Sequence, residues 1–244
     1  MNAYRQSPFA NLTPVVKTLL IINIIFFIGT WLLADRFTII SYLPAYYFNS
    51  PQFRPWQIIT YMFMHANIAH IFFNMFALFM FGPILEYSIG SKRFLNLYFI
   101  CGIGAIVIQM LIQAIEVHNL IGAFTINDSS SIINQLDPLA IQKLKAIYEY
   151  PVVGASGAVV GIVVTFAMLY PNMEMMILFI PVPVKAKYII PAYIAIELFS
   201  GIGQSSGISQ FSGDNVAHFA HLGGALFGFL MVKLWHLQRP NNFF

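Results

Sequence analysis

Three separated clusters hold the groups able to do chemistry. Ser156 stands in Gly154-Ala155-Ser156-Gly157, His221 in Ala220-His221-Leu222-Gly223-Gly224, and His65, His70 and Asn74 in His-Ala-Asn-Ile-Ala-His-Ile-Phe-Phe-Asn. A serine hydroxyl is a poor nucleophile until a hydrogen-bonded base takes its proton, and a neutral histidine is the usual base near pH 7. Attack on a carbonyl then leaves an oxyanion that needs donors. A serine opening a helix offers its own backbone N–H, and the His70 and Asn74 side chains can add to it. These two lie four residues apart and so share one helix face. Singly each signal is weak, because a serine among small residues is more often a packing residue; their joint occurrence carries the weight. His65 and His218 read as structural, and His118 and His236 as interfacial residues at span ends. Glu86 reads as a helix-end carboxylate near Lys92 or Arg93, and Glu197 as an intramembrane acid requiring a hydrogen-bond partner, neither of them catalytic.

The elements that must position these groups are membrane spans. Of 244 residues, 59% are hydrophobic and only 9% are charged, against roughly one quarter charged in soluble domains. Apolar runs able to cross a hydrocarbon core of about 30 Å are expected at about Val15–Ala34, Ile68–Leu85, Phe94–Ile115, Ser156–Tyr170, Tyr188–Phe199 and Val216–Trp235. The first reads as a retained span rather than a cleaved leader. Gly157 with Gly161, and Gly224 with Gly228, form small-xxx-small pairs that let the fourth and sixth spans approach closely, and His221 shares the glycine face. That approach is expected to bring His221 to Ser156.

Basic residues gather in cytoplasmic segments, and the bias here places both termini inside. Arg5, Lys17, Lys92, Arg93, Lys185, Lys187, Lys233 and Arg239 then lie inside, with Arg36, Arg54, Lys143 and Lys145 outside. All three clusters fall near the outer face. The outer segment from Asp35 to about Asn67 carries Tyr42, Tyr46, Tyr47, Phe48, Phe53 and Trp56, which suit the headgroup layer. The second outer segment, about 117–153, holds a flexible stretch at Asn127–Ser131. A short helix follows it, capped by Asp137, with Pro138 in its first turn and Leu139, Ile141, Leu144 and Ile147 as its apolar face.

Other classes fit poorly. A net charge of +3, without a run of Lys and Arg, gives no phosphate-tracking patch, so no nucleic-acid partner is expected. The single cysteine, Cys101, leaves no internal disulfide and no cysteine cage. The histidines lack a His-Glu-x-x-His arrangement, and no metal or cofactor is expected. The nucleophile elbow of soluble hydrolases needs glycine two residues after the serine, where this chain has Ala158, and no strand leads into it.

With these motifs in order, the chain resembles the rhomboid family of intramembrane serine proteases over roughly Trp56–Gly228. The His65/His70/Asn74 motif, the Gly154–Gly157 string and the Ala220–Gly224 string correspond to the family's second-span, nucleophile and sixth-span motifs. Glu86 followed by Gly90-Ser91-Lys92-Arg93-Phe94 resembles the family's boundary between the second and third spans.

The resemblance implies an all-α, polytopic, compact six-transmembrane-helix bundle over residues 15–236, between a cytoplasmic N-terminus (1–14) and a cytoplasmic tail (237–244). It sits in a bacterial-type plasma (inner) membrane. It further implies a water-filled cavity opening outward and a Ser156–His221 dyad working through an acyl-enzyme, without a third carboxylate and without Asp214. The oxyanion hole is formed by His70, Asn74 and the Ser156 backbone. The fifth span serves as a lateral gate, and transmembrane proteins in the bilayer are the substrates. Val160 occupies a place where some members carry a tyrosine packed on the catalytic histidine. A catalytically silent relative would be marked by replacement of Ser156 or His221; both are present.

Overall fold

The computed structural model describes residues 12–33, 41–126, 136–177, 180–206 and 217–238. Its helices are α1 (Pro14–Leu33), α2 (Gln57–Thr60), α3 (Ile68–Ile89), α4 (Ser91–Ile121), α5 (Pro138–Glu149), α6 (Ser156–Leu169), α7 (Ala186–Ser206) and α8 (His218–Leu234), with a 3-10 turn at Tyr61–Phe63. Each expected span is matched by one helix, and the architecture is an all-α membrane bundle. α1, α3 and α4 are long and apolar enough to cross a membrane. Trp31, Tyr87, Phe199 and Leu234 are left exposed on the outside of the bundle, where a soluble protein would bury them and a membrane protein meets lipid.

α6 is the axis. It touches α3, α4, α7 and α8, and Ala158, Ile162 and Phe166 are almost wholly buried along it. Between apolar helices in lipid, burial from water contributes little and close van der Waals fit does the work. The glycines supply that fit. A Cβ on Gly224 would run into the Gly157 carbonyl, and one on Gly228 into the Gly161 carbonyl, so α6 and α8 pack backbone to backbone as their glycine spacing predicts. Thr165 Oγ1 reinforces the contact by donating to the carbonyls of Gly161 at 2.8 Å and Gly228 at 3.4 Å. With 14 residues, α6 rises only about 21 Å, about 9 Å short of the hydrocarbon thickness. Ser156 opens the helix at its N-terminal end.

Several local expectations need correction. Glu86, expected as a helix-end carboxylate near Lys92 or Arg93, does stand in the last turn of α3, but its partners lie elsewhere. It is buried, and it accepts hydrogen bonds from the backbone N–H groups of Val15 (3.0 Å) and Val16 (2.9 Å) and from Ser91 Oγ (2.7 Å). It thereby caps the start of α1 from another helix. An antiparallel hairpin, β1 (Glu174–Ile177) with β2 (Ile180–Lys185), precedes α7 where no strand was expected. Pro181 and Pro183 deny that stretch a helix, so α7 begins at Ala186. Tyr47 is not a headgroup residue: it is buried against Val117, Leu144 and Ile147, and its hydroxyl donates to the Phe124 carbonyl at 2.8 Å.

The partner that covers Tyr47 is α5, capped as expected by Asp137, whose Oδ1 accepts from Ala140 N at 2.8 Å. Its inward face is Ala140, Leu144 and Ile147, while Leu139 is exposed. The expected flexible stretch at Asn127–Ser131, Arg5, Arg36, Asp214, Val216 and Arg239 lie outside the described residues.

Candidate active site

The loop before α6 places Ser156. Val152 and Ala45 exchange backbone hydrogen bonds, and Gly154 N donates to the Tyr61 carbonyl at 2.9 Å. Gly154 has φ +125°, and a Cβ there would lie 2.6 Å from His70 Nε2. Only glycine tolerates both the backbone angle and the neighbouring ring. The chain then enters α6, whose first-turn N–H groups have no intrahelical partner. Ser156 Oγ lies 2.8 Å from His221 Nε2, so residues 65 positions apart meet through the glycine-lined contact of α6 and α8.

His70, in the first turn of α3, accepts a hydrogen bond from Ala66 N at its Nδ1, 3.4 Å away. That leaves the proton of a neutral ring on Nε2, the nitrogen facing Gly154 and the serine. It is therefore presented as a donor towards Gly154 and Ser156. Asn74 is nearly buried one turn on, and its Nδ2 donates to the His70 carbonyl at 3.0 Å. One amide hydrogen is thus engaged within α3 and the second is left for the cavity that Asn74 lines.

The side of His221 away from Ser156 holds residues not foreseen as part of the site. Its Nδ1 lies 3.1 Å from Glu197 Oε1 and 3.3 Å from the Tyr193 hydroxyl. Glu197 Oε2 lies 2.8 Å from His218 Nδ1. A carboxylate thus stands behind the histidine. The signal available in the sequence was an intramembrane acid requiring a partner, in the span just before one carrying two histidines three residues apart. Val160 is partly buried against the apolar core.

His65 packs edge-on against His70, ring centroids 5.1 Å apart, and neither of its ring nitrogens has a hydrogen-bond partner. Burial pushes its pKa down to about 4, with the His70 ring adding to the shift and the Phe63 backbone partly opposing it. It is a neutral structural ring at ordinary pH. His118 stacks on Phe124 with ring centroids 4.7 Å apart, and His236 is exposed; neither adjoins the serine.

A cavity of about 1040 Å³ opens onto Ser156, His221, His70 and Asn74. Gln109, Gln113, Glu116 and Asn119 of α4 also line it, a polar stripe at helical spacing that can hydrate the space. Lys143, Ala146, Ile147 and Tyr150 form another wall. The second outer segment, about 117–153, therefore shapes the cavity.

Comparison with known proteins agrees with this geometry. A family model described as the Rhomboid domain matches residues 52–238. The rhomboid protease AarA of Providencia stuartii is 30% identical over 201 residues, covering 77% of this chain and 58% of that protein. The mitochondrial rhomboid protein 1 of Saccharomyces cerevisiae is 26% identical over 184 residues, covering 75% and 42%. A putative rhomboid protease, YdcA of Bacillus subtilis, is 29% identical over 119 residues, covering 48% and 43%. The chain spans about half the length of these curated relatives. With a family model matched across most of its length and a bundle of apolar helices, this chain is an integral membrane protein belonging to the rhomboid family.

Proposed function

We propose that the protein is an intramembrane serine endopeptidase that cuts membrane-protein substrates in or near their transmembrane segments. The observation that carries this reading is the 2.8 Å contact between Ser156 Oγ and His221 Nε2 at the floor of a polar cavity within an apolar bundle. The serine proton passes to His221 Nε2 as Oγ attacks the scissile carbonyl carbon. Negative charge then develops on the carbonyl oxygen, within reach of the His70 Nε2–H, the Asn74 amide and the backbone N–H of Ser156. Collapse of the tetrahedral intermediate breaks the C–N bond, and the amine leaves with the proton from His221. The resulting acyl-enzyme ester is hydrolysed by a water that His221 deprotonates, restoring the serine.

A short α6 supports the placement of this chemistry below the membrane surface, and the glutamines of α4 support a hydrated site there. α7, with Ile196, Phe199 and Ile202 exposed, is the element we assign as the lateral gate for substrate. The membrane domain covers 15–236, flanked by cytoplasmic segments 1–14 and 237–244, in a bacterial-type inner membrane. The distribution of Lys and Arg supports that orientation.

The test is cleavage of a single-span reporter by the purified protein in liposomes. Ser156→Ala and His221→Ala should each abolish product at unchanged thermal stability. Full activity in Ser156→Ala would overturn the mechanism.

A further inference from the structure

A second polar cluster stands behind His221, and a two-residue mechanism leaves it without a role. Glu197 is nearly buried on α7, and its two carboxylate oxygens are taken up separately. Oε1 lies 3.1 Å from His221 Nδ1 and Oε2 lies 2.8 Å from His218 Nδ1. The remaining nitrogen of His218, Nε2, is buried with no hydrogen-bond partner, so the polar contact of that ring is with Glu197. Tyr193, one turn before Glu197 on the same helix, brings its hydroxyl to 3.3 Å from His221 Nδ1.

We propose that Glu197, braced by His218, is the positioning residue that fixes His221 in the tautomer able to take the Ser156 proton. The proposal rests on the reading of Ser156 as nucleophile and His221 as base.

An ionised carboxylate only accepts hydrogen bonds. Both histidines facing it must therefore carry hydrogen on Nδ1, and a neutral His221 then has a bare lone pair on Nε2, the atom 2.8 Å from Ser156 Oγ. During attack the proton moves from Oγ to Nε2 while Nδ1 keeps its own. The ring becomes a cation lying against an anionic carboxylate that stays unprotonated, and the Nε2 proton goes on to the leaving amine. No further reactant is consumed. His218 supplies restraint. A glutamate side chain turns freely about its torsions, and holding one oxygen leaves the other aimed at His221.

The experiment uses the full chain in liposomes or micelles with 15N-labelled histidine, a transmembrane reporter substrate and a fluorophosphonate that labels active serines. In the wild type, His221 should show a protonated Nδ1 and an unprotonated Nε2. Glutamine cannot accept from two Nδ1–H groups with one carbonyl while presenting its NH2. Glu197→Gln should accordingly lower kcat by roughly a hundredfold or more, with KM within about twofold, slow Ser156 labelling by the same factor and shift His221 towards the Nε2–H tautomer. Glu197→Asp should recover part of the loss. His218→Ala, which keeps the carboxylate but frees it, should lose about three- to tenfold, again in kcat.

A folded Glu197→Gln protein with kcat and labelling within twofold of wild type would overturn the proposal, as would a wild-type His221 protonated at Nε2 alone. If that variant does not fold, the wild-type tautomer decides. Failure of the underlying reading looks different: the wild type itself would not label at Ser156, and Ser156→Ala would still cleave.

Discussion

Glu86 and Glu197 are both nearly buried carboxylates within the helical bundle, 2% and 8% exposed, and they do opposite kinds of work because their partners differ. Glu86 accepts from two backbone N–H groups at the start of α1 and from the Ser91 hydroxyl. Backbone amides neither titrate nor change tautomer, so this carboxylate fastens α1 to the turn between α3 and α4. Glu197 accepts from two imidazoles, rings whose protons can move. The same side chain is a static fastener at one end of the bundle and, as proposed, a proton-placing group at the other. Burial by itself does not reveal which role a carboxylate has. The nature of the donors does.

The largest effect should come from a change that removes what both ends share, the close packing of the bundle. Gly224→Leu puts a branched chain where even a Cβ meets the Gly157 carbonyl. It should separate α6 from α8, eliminate reporter cleavage and lower the melting temperature, both measurable in the same liposome preparation. His70→Ala acts at the catalytic end alone. It should cost roughly a hundred- to a thousandfold in kcat with the melting temperature and KM preserved; a fall in stability equal to that of a core deletion would refute the donor role.

Glu86→Ala tests the other end. Leaving buried N–H groups unpaired should cost about 3 kcal/mol, or about a hundredfold in the unfolding equilibrium measured in mixed micelles. Activity per folded molecule, counted by serine labelling, should be unchanged, and a specific kcat defect would break the contrast. Tyr193→Phe removes a hydroxyl that borders Glu197 and His221 and should lower kcat by only about two- to fivefold. A pH dependence is expected at His65. Its folded pKa, about 4, lies below the ordinary histidine value of about 6.5. The unfolded chain therefore binds a proton between these pH values that the folded chain refuses. Stability should fall as pH drops from 6.5 towards 4, and His65→Gln should flatten that slope in a pH series of melting curves.

Much of this arrangement is legible along the chain. The spans follow from uninterrupted apolar runs, and the α6–α8 contact from glycines four apart. The α5 cap follows from Asp137 before Pro138. Each of these depends on neighbours within a turn or two. The misreadings have the opposite character. Tyr47 looked interfacial because its cover, Leu144 and Ile147, lies about a hundred residues away. Leu139 belongs to the apolar face yet is exposed, because periodicity alone does not say which part of an amphipathic arc is covered. The hairpin before α7 was hidden in an apolar stretch whose prolines were not weighed. The tautomer of His70 is set locally, by Ala66 N four residues before it donating to Nδ1, a contact that periodicity does not announce.

Sequence alone determined the membrane character, the helices and the identity of the candidate nucleophile and base, since composition, periodicity and glycine spacing are local properties. Tertiary structure decided that a carboxylate backs His221, that His218 holds that carboxylate, and that the second outer segment walls the cavity. Those are distances between α5, α7 and α8 and the rest of the bundle. No local pattern encodes them, because a polar side chain in an apolar helix states only that it needs a partner, and packing chooses which one it meets.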